Sequence, residues 1–338
     1  MKLITRAAWK RMGAALLLFL LLLAFVYSTM IRMPGKSFSG PLPELTDRQR
    51  TLAETLRRDL QTLAGEIGDR NVFKPQKLEK AARFIERRLE SAGYAPRRQE
   101  FSVGPRTCAN IEAEIPGAAL RDEIVVVGAH YDTVPGCPGA NDNGSGVVAT
   151  LALADALASK TASRTLRFVL FVNEEPPHFQ TDSMGSRVYA RRCRERRENI
   201  VGMISLETIG YFRDEPKSQR FPVPGLGLFY PTKGNFIALI GNFGSRDWVR
   251  AAVGSFRRHA EFPCEGAALP GFIPGVGWSD HWAFYQEGYP ALMVTDTAPF
   301  RYPHYHQPTD TPDRVDTERM ARIVETMERV VLDLANPD

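Results

Sequence analysis

Cysteine is scarce in this chain of 338 residues: Cys108, Cys137, Cys193 and Cys264 stand far apart with no CxxC pair, which argues against a structural zinc site built on paired thiols. A strong charge excess is also missing. Lys and Arg number 43 against 39 Asp and Glu, a net +4, so nothing points to a nucleic-acid partner. Internal repeats are absent, which removes solenoid architectures and leaves one large domain or two small ones, with hydrophobic content of 43% to build a core. Charge vanishes entirely over residues 12–31, "MGAALLLFLLLLAFVYSTMI". At about 1.5 Å per residue such a helix reaches roughly 30 Å, the thickness of a bilayer core.

The basic residues Lys2, Arg6, Lys10 and Arg11 precede that run, and "YSTMIRMPG" after it has no small-x-small cleavage site. An uncleaved signal anchor is expected ahead of the alternative, a cleaved signal peptide: residues 1–11 cytoplasmic, 12–31 crossing the membrane, and the rest outside the cytoplasm, in the periplasm if the cell is Gram-negative. In that space the four cysteines are free to form disulfides. Cys137 reads as a small loop residue or a half-cystine rather than as a ligand. Residues 32–45, rich in Pro, Gly and Ser, read as a linker, and residues 46–338 as the functional domain.

Thr46 and Gln49 are placed as a capping box for a first helix, and Leu78, Ala82, Ile85 and Leu89 repeat at helical spacing in a second, from Pro75 to Ser91. Strands and helices then alternate. "EIVVVGA", "TLRFVLFVN", "IVGMISL", "NFIALIGN" and "PALMVTDT" are apolar strands; "SGVVATLALADALAS", "SRVYARRCRERREN" and residues 316–335 are helices. Continuous apolar strands separated by helices predict an α/β fold: a mixed, mostly parallel sheet with helices on both faces. The arginine-rich run at 190–198 reads as a solvated helix face.

Open α/β sheets bind ligands at the carboxyl ends of their strands. His130 and Asp132 follow one strand, Glu174 and Glu175 the next, and Glu207 a third; His304, His306 and Asp310 come soon after the last. Each alone is most often a cap or a loop residue. The adjacent Glu174–Glu175 pair, however, has no basic neighbour before Arg187, and such repulsion calls for a cation. His and carboxylate donors without cysteine suit zinc or another borderline divalent ion better than calcium.

Five stretches, "GAHYDT", "GANDNGSG", "NEEPP" followed by "MGS", "SLETIGYF" and "YHQPTDTPDRVD", with "SDHWAF" as a weaker sixth, resemble in content and order the zinc aminopeptidases of peptidase family M28. The resemblance implies a single α/β zinc-exopeptidase domain. It also implies two zinc ions sharing Asp142, with His130 and Glu207 completing one site and Glu175 and His306 the other. Glu174 becomes the general base, Asp132 the residue that orients His130, and Tyr305 a stabiliser of the oxyanion. A cis peptide between Asp142 and Asn143 is implied as well. Glu207 departs from the aspartate frequent at that place in the family, and the "YHxPxDT" frame selects His306 over His304. The expected activity is hydrolysis of peptides from a free N-terminus. Three rivals stand beside it: a single-zinc glutaminyl cyclase, a non-catalytic anchored ectodomain, and a hydrolase of another amide. The long segment "RDEPKSQRFPVPGLGLFYPTKG" after Glu207 is expected to shape the substrate pocket.

Overall fold

The structure is a computed structural model in which residues 5–337 are described. The N-terminal helix α1 (Arg6–Val26) continues through a wide turn to Ile31, and no residue of its most apolar window is buried. Its length and composition suffice to cross a membrane. The segment after it is less free than a Pro/Gly/Ser-rich linker suggests. Met33 is buried in the core, Arg257 donates to the carbonyls of Pro34 (3.2 Å) and Gly35 (3.3 Å), and Ser37 Oγ accepts from the Cys264 amide at 3.0 Å.

Helix α2 (Asp47–Leu60) starts at the expected capping box, with Thr46 and Gln49 each bonding the other's backbone amide. Helix α3 (Pro75–Ser91) has proline at its first position, where the missing N–H costs nothing. The sheet has eight strands: β1 (Arg97–Val103), β2 (Arg106–Ile115), β3 (Leu120–His130), β4 (Arg164–Phe171), β5 (Asn199–Glu207), β6 (Ile237–Asn242), β7 (Cys264–Leu269) and β8 (Ala291–Thr295). Their order is β1-β2-β4-β3-β5-β8-β6-β7. The central β4, β3, β5 and β8 run parallel; β1 and β2 are antiparallel additions at one edge, and β6 pairs antiparallel with β8.

Side chains alternate along β3. Val125 and Val127 belong to the large apolar cluster to which α2, α3, α4 (Gly146–Leu157), α6 (Arg246–His259) and α8 (Thr317–Ala335) contribute, while Ile124 and Val126 belong to a second one shared with α5 (Gly185–Glu195) and α7 (His281–Gln286). Each central strand is thus apolar on both faces, as its continuous hydrophobic run requires. The sheet is mixed and mostly parallel at its centre, as predicted. Strands β1, β2 and β7 and helices α6 and α7 are additions to the expected elements.

All four cysteines are free thiols, and all are buried. The arginine run on α5 is partly docked rather than solvated: Arg192 donates to Glu112 at 2.7 Å and lies over the Tyr189 ring at 4.4 Å.

Candidate metal centre

Four strand ends deliver the site. β3 delivers His130 and then Asp132, whose carboxylate accepts the backbone amides of Glu174 (3.0 Å) and Glu175 (3.1 Å) beyond β4. One loop thereby fixes the next. Asp132 Oδ1 also lies 3.6 Å from His130 Nδ1, on the side of the imidazole away from Asp142 and Glu207, which the ring faces with Nε2.

The turn carrying Asp142 is held by groups whose bracing role has no signal in the sequence. Asp310 accepts the amides of Asn141 (2.8 Å) and Asp142 (3.0 Å), and Tyr302 donates to it at 2.6 Å. The fully buried Arg70 donates to the carbonyls of Tyr131, Pro138 and Gly139; burial lowers its pKa to about 10, against the opposing pull of Asp132 and Asp310. Gly139 sits at φ +63, and a Cβ there would lie 2.3 Å from Thr133 Cγ2. At Gly146 a Cβ would lie 2.2 Å from the Leu206 carbonyl, so only glycine lets this turn seat against β5. The expected cis peptide joins Asp142 to Asn143.

Asn143 ties the turn to β5 by donating to the Leu206 carbonyl (2.8 Å) and accepting from the Thr208 amide (3.1 Å). Ser279 Oγ donates to Glu207 Oε2 at 2.8 Å. Non-glycine residues with positive φ stand at or beside the acidic groups: Asn173 before Glu174, Thr208 after Glu207, and His306 itself. Such backbone costs about 1–3 kcal/mol each and clusters at functional sites.

The residues so placed converge. His130 Nε2 lies 3.5 Å from Asp142 Oδ1, 3.1 Å from Glu207 Oε2 and 3.7 Å from Glu174 Oε2. On the other side, His306 Nε2 lies 3.0 Å from Asp142 Oδ2 and 3.2 Å from Glu175 Oε2. Asp142 therefore offers one oxygen to each imidazole. Donors bound at about 2.0–2.2 Å around one tetrahedral ion stand about 3.3–3.5 Å apart, close to this spacing. Asp142 Oδ2 and His306 Nε2, 3.0 Å apart, are both buried without a hydrogen bond, as is Glu175 Oε1, so polar atoms of all three residues are left for another partner. His304 lies outside the cluster and bonds Thr309 Oγ1 at 2.8 Å. Tyr305 stacks on His306, ring centroids 3.9 Å apart, and with Glu207 borders an adjoining apolar pocket.

Charge in the cage is unbalanced. Burial drives the Glu174 carboxyl well above its ordinary range; His130 opposes this, and Glu175, Glu207 and Asp280 reinforce it. Burial and the Asp142 charge push Glu175 up to about 7. Asp142, which burial alone would raise, is held well below the carboxylate range by His130 and His306. His130 is raised because Glu207 and Glu174 outweigh its burial, and His306, between Asp142 and Glu175, is raised to about 10. Asp280, in the motif "SDHWAF", adds a further acidic group that the strand-end pattern does not indicate. It is fully buried with both oxygens unbonded, and burial raises it to about 7. Carboxyls forced toward protonation around shared imidazoles are what a bound cation relieves. The residues present fit divalent metal.

Buried histidines and carboxylates meeting at the strand ends of an α/β sheet form a cage for divalent metal where such sheets bind their ligands. Residues 110–331 match the model of "Peptidase family M28", well over half of the chain, and the protein belongs to that family. It is 34% identical over 280 residues to "Uncharacterized protein YfbL" of Escherichia coli (strain K12), covering 80% of this chain and 85% of that one. With "Leucine aminopeptidase 1" of Arthroderma otae it shares 28% identity over 243 residues, covering 67% of this chain and 58% of the relative. Among solved structures, BSAP, a zinc aminopeptidase from Bacillus subtilis, superposes with a TM-score of 0.69 at 15% identity, covering 88% of this chain and 97% of that one. A glutaminyl cyclase from Fimbriiglobus ruber superposes with a TM-score of 0.61 at 20% identity, covering 87% and 97%. These two share the fold.

Proposed function

We propose that the chain is a zinc aminopeptidase with two metal sites, carried on an N-terminal membrane anchor (residues 12–31) with the peptidase domain (46–338) outside the cytoplasm. The observation that carries this reading is the position of Asp142, one oxygen toward His130 and the other toward His306. A single-metal enzyme has no use for the His130–Glu207 side of the cage. His130, Asp142 and Glu207 hold one ion, and Glu175, His306 and the same Asp142 hold the second.

When bound, the zinc pair supplies Lewis acidity that polarises the scissile carbonyl and lowers the pKa of the attacking water. Glu174, buried beside both sites, takes the proton from that water and hands it to the departing amine. Burial, reinforced by Glu175, Glu207 and Asp280, raises the affinity of the Glu174 carboxylate for a proton in the metal-free cage. Asp132 holds the Glu174 and Glu175 backbone in register. Tyr305 donates to the oxygen that develops charge, and the carboxylates around the cage bind the free α-ammonium of the substrate. The adjoining apolar pocket, with Glu207 and Tyr305 at its edge, receives an apolar side chain of the peptide.

Peptides with free N-termini should be cleaved by the zinc-loaded protein, and their N-acetylated forms should not. Cleavage of neither, with pyroglutamate formed from N-terminal glutamine, would establish the cyclase instead.

A further inference from the structure

The segment 213–234 after β5 and the loop 270–278 after β7 form the outer wall of the apolar pocket, through Phe221, Leu226, Tyr230, Ile273, Val276 and Trp278. Their tips point elsewhere. Leu228 and Phe272 are each 86% exposed and Phe229 is 50% exposed, and none of the three lines the pocket. Single exposed apolar residues are ordinary; here Phe229 adjoins the apolar helix, Leu228 is its chain neighbour, and Phe272 precedes Ile273, which packs on the same small cluster as Met30 of that helix segment. The Tyr27 ring in the last stretch of the candidate span lies 5.9 Å from the Phe229 ring, and Met30 packs on the cluster that includes Tyr230 and Ile273.

Depth follows from that contact. If residues 12–31 cross a bilayer, Tyr27 stands about one helical turn inside its outer boundary, where aromatic residues concentrate. Phe229, touching it, shares that depth. The segment that carries the tip also exposes Lys217, Arg220 and Lys233 against Asp214 and Glu215, and basic side chains near a bilayer are attracted by anionic headgroups.

We propose that Leu228, Phe229 and Phe272 form a lip seated in the outer headgroup layer of the membrane that holds the anchor. The pocket beside the metal cage then opens at the bilayer surface, and its substrates are peptides whose apolar N-terminal ends are partitioned there. The substrate class rests on the peptidase reading above; the lip rests on the anchor.

The test uses the full chain in phosphatidylethanolamine–phosphatidylglycerol vesicles, with nitroxide labels at Leu228→Cys, Phe272→Cys, Leu18→Cys in the anchor and Glu100→Cys on the opposite edge strand β1. The four native thiols are buried and stay unlabelled. Labels at 228 and 272 should be more accessible to oxygen than to a water-soluble nickel chelate, as at 18, with 100 the reverse. Aqueous behaviour at 228 and 272 with 18 in lipid would overturn the lip alone; aqueous behaviour at 18 as well would overturn the anchor together with it. In the same vesicles, L228D/F272D should raise KM about tenfold or more for a peptide with an apolar, lipid-partitioned N-terminus and leave a water-soluble aminoacyl substrate unchanged. Equal effects on both substrates would overturn the proposed class. If the unsubstituted protein cleaves neither, the peptidase reading falls and takes the substrate class with it, while the labels still decide the lip.

Discussion

β3, β4 and β5 lie in the same sheet as β6 and β7, yet the first three end in buried carboxylates and an imidazole while the other two back an apolar pocket. The acidic end is over-determined. Asp132, Asp310, Asn143 and Arg70 each hold a neighbouring loop by its backbone, and little there can move without leaving a buried polar group unpaired. The apolar end is walled by two long loops whose contacts are mostly aromatic and aliphatic. Chemistry demands fixed atoms, whereas selection among side chains demands only shape, so the two ends should respond differently to substitution.

The largest contrast is expected at Glu174. Glu174→Gln keeps the shape and every backbone bond to Asp132 but cannot accept the water proton; turnover should fall by at least about 10²–10⁴ with KM and zinc content little changed. Turnover within tenfold of the unsubstituted protein at full zinc content would remove Glu174 from the base role. A pocket substitution should instead discriminate. Ala267 on β7 lines the apolar pocket, and Ala267→Phe should cut kcat/KM for N-terminal Leu or Phe by about 10–200-fold while sparing Ala, the range that side-chain volume in an apolar pocket commands. A uniform loss across substrates would show that the two ends are coupled.

A smaller effect separates the ends by pH. The Glu175 carboxyl of the metal-free cage has a folded pKa of about 7, raised above its ordinary 4.5. As pH falls through 7 the empty site takes up a proton that zinc must displace, so zinc affinity should weaken by about tenfold per pH unit for each proton released. The same raised value works oppositely on the metal-free fold: the folded state binds the proton more tightly than the unfolded, so this group adds stability below about 4.5 that is lost as pH rises through about 7. Zinc titrations at descending pH read the first effect, and thermal melts of chelator-treated protein the second. A pH-independent affinity between 7 and 5 would contradict the placement of Glu175 in the cage.

The two ends also differed in how far they could be read from sequence. His130, Asp142, Glu174, Glu175, Glu207 and His306 all fall in short motifs at the ends of apolar strands or in the segments that follow them, and the structure brings all six together. Asp310 sat within such a motif without its bracing role being apparent, because a carboxylate that accepts two backbone amides leaves no pattern in its neighbours. Arg70 is invisible for the same reason: its partners are carbonyls, which every residue has. Strand β7, "CEGAAL", lacks the β-branched residues that mark strands, and β1, "RRQEFSV", is a half-exposed edge strand rich in charge. The segment at 32–45 reads as a linker by composition, but Met33 and Ser37 dock along β7, a tertiary contact that no local signal announces.

The account rests most heavily on Asp142 serving two sites at once. Equilibrium zinc titration of the purified full chain, read by metal content after removal of free ion, tests this directly. Two equivalents should bind to the unsubstituted protein, with one weakened selectively in His306→Ala and the other in His130→Ala. A single equivalent, lost in His306→Ala and untouched in His130→Ala, would contradict it.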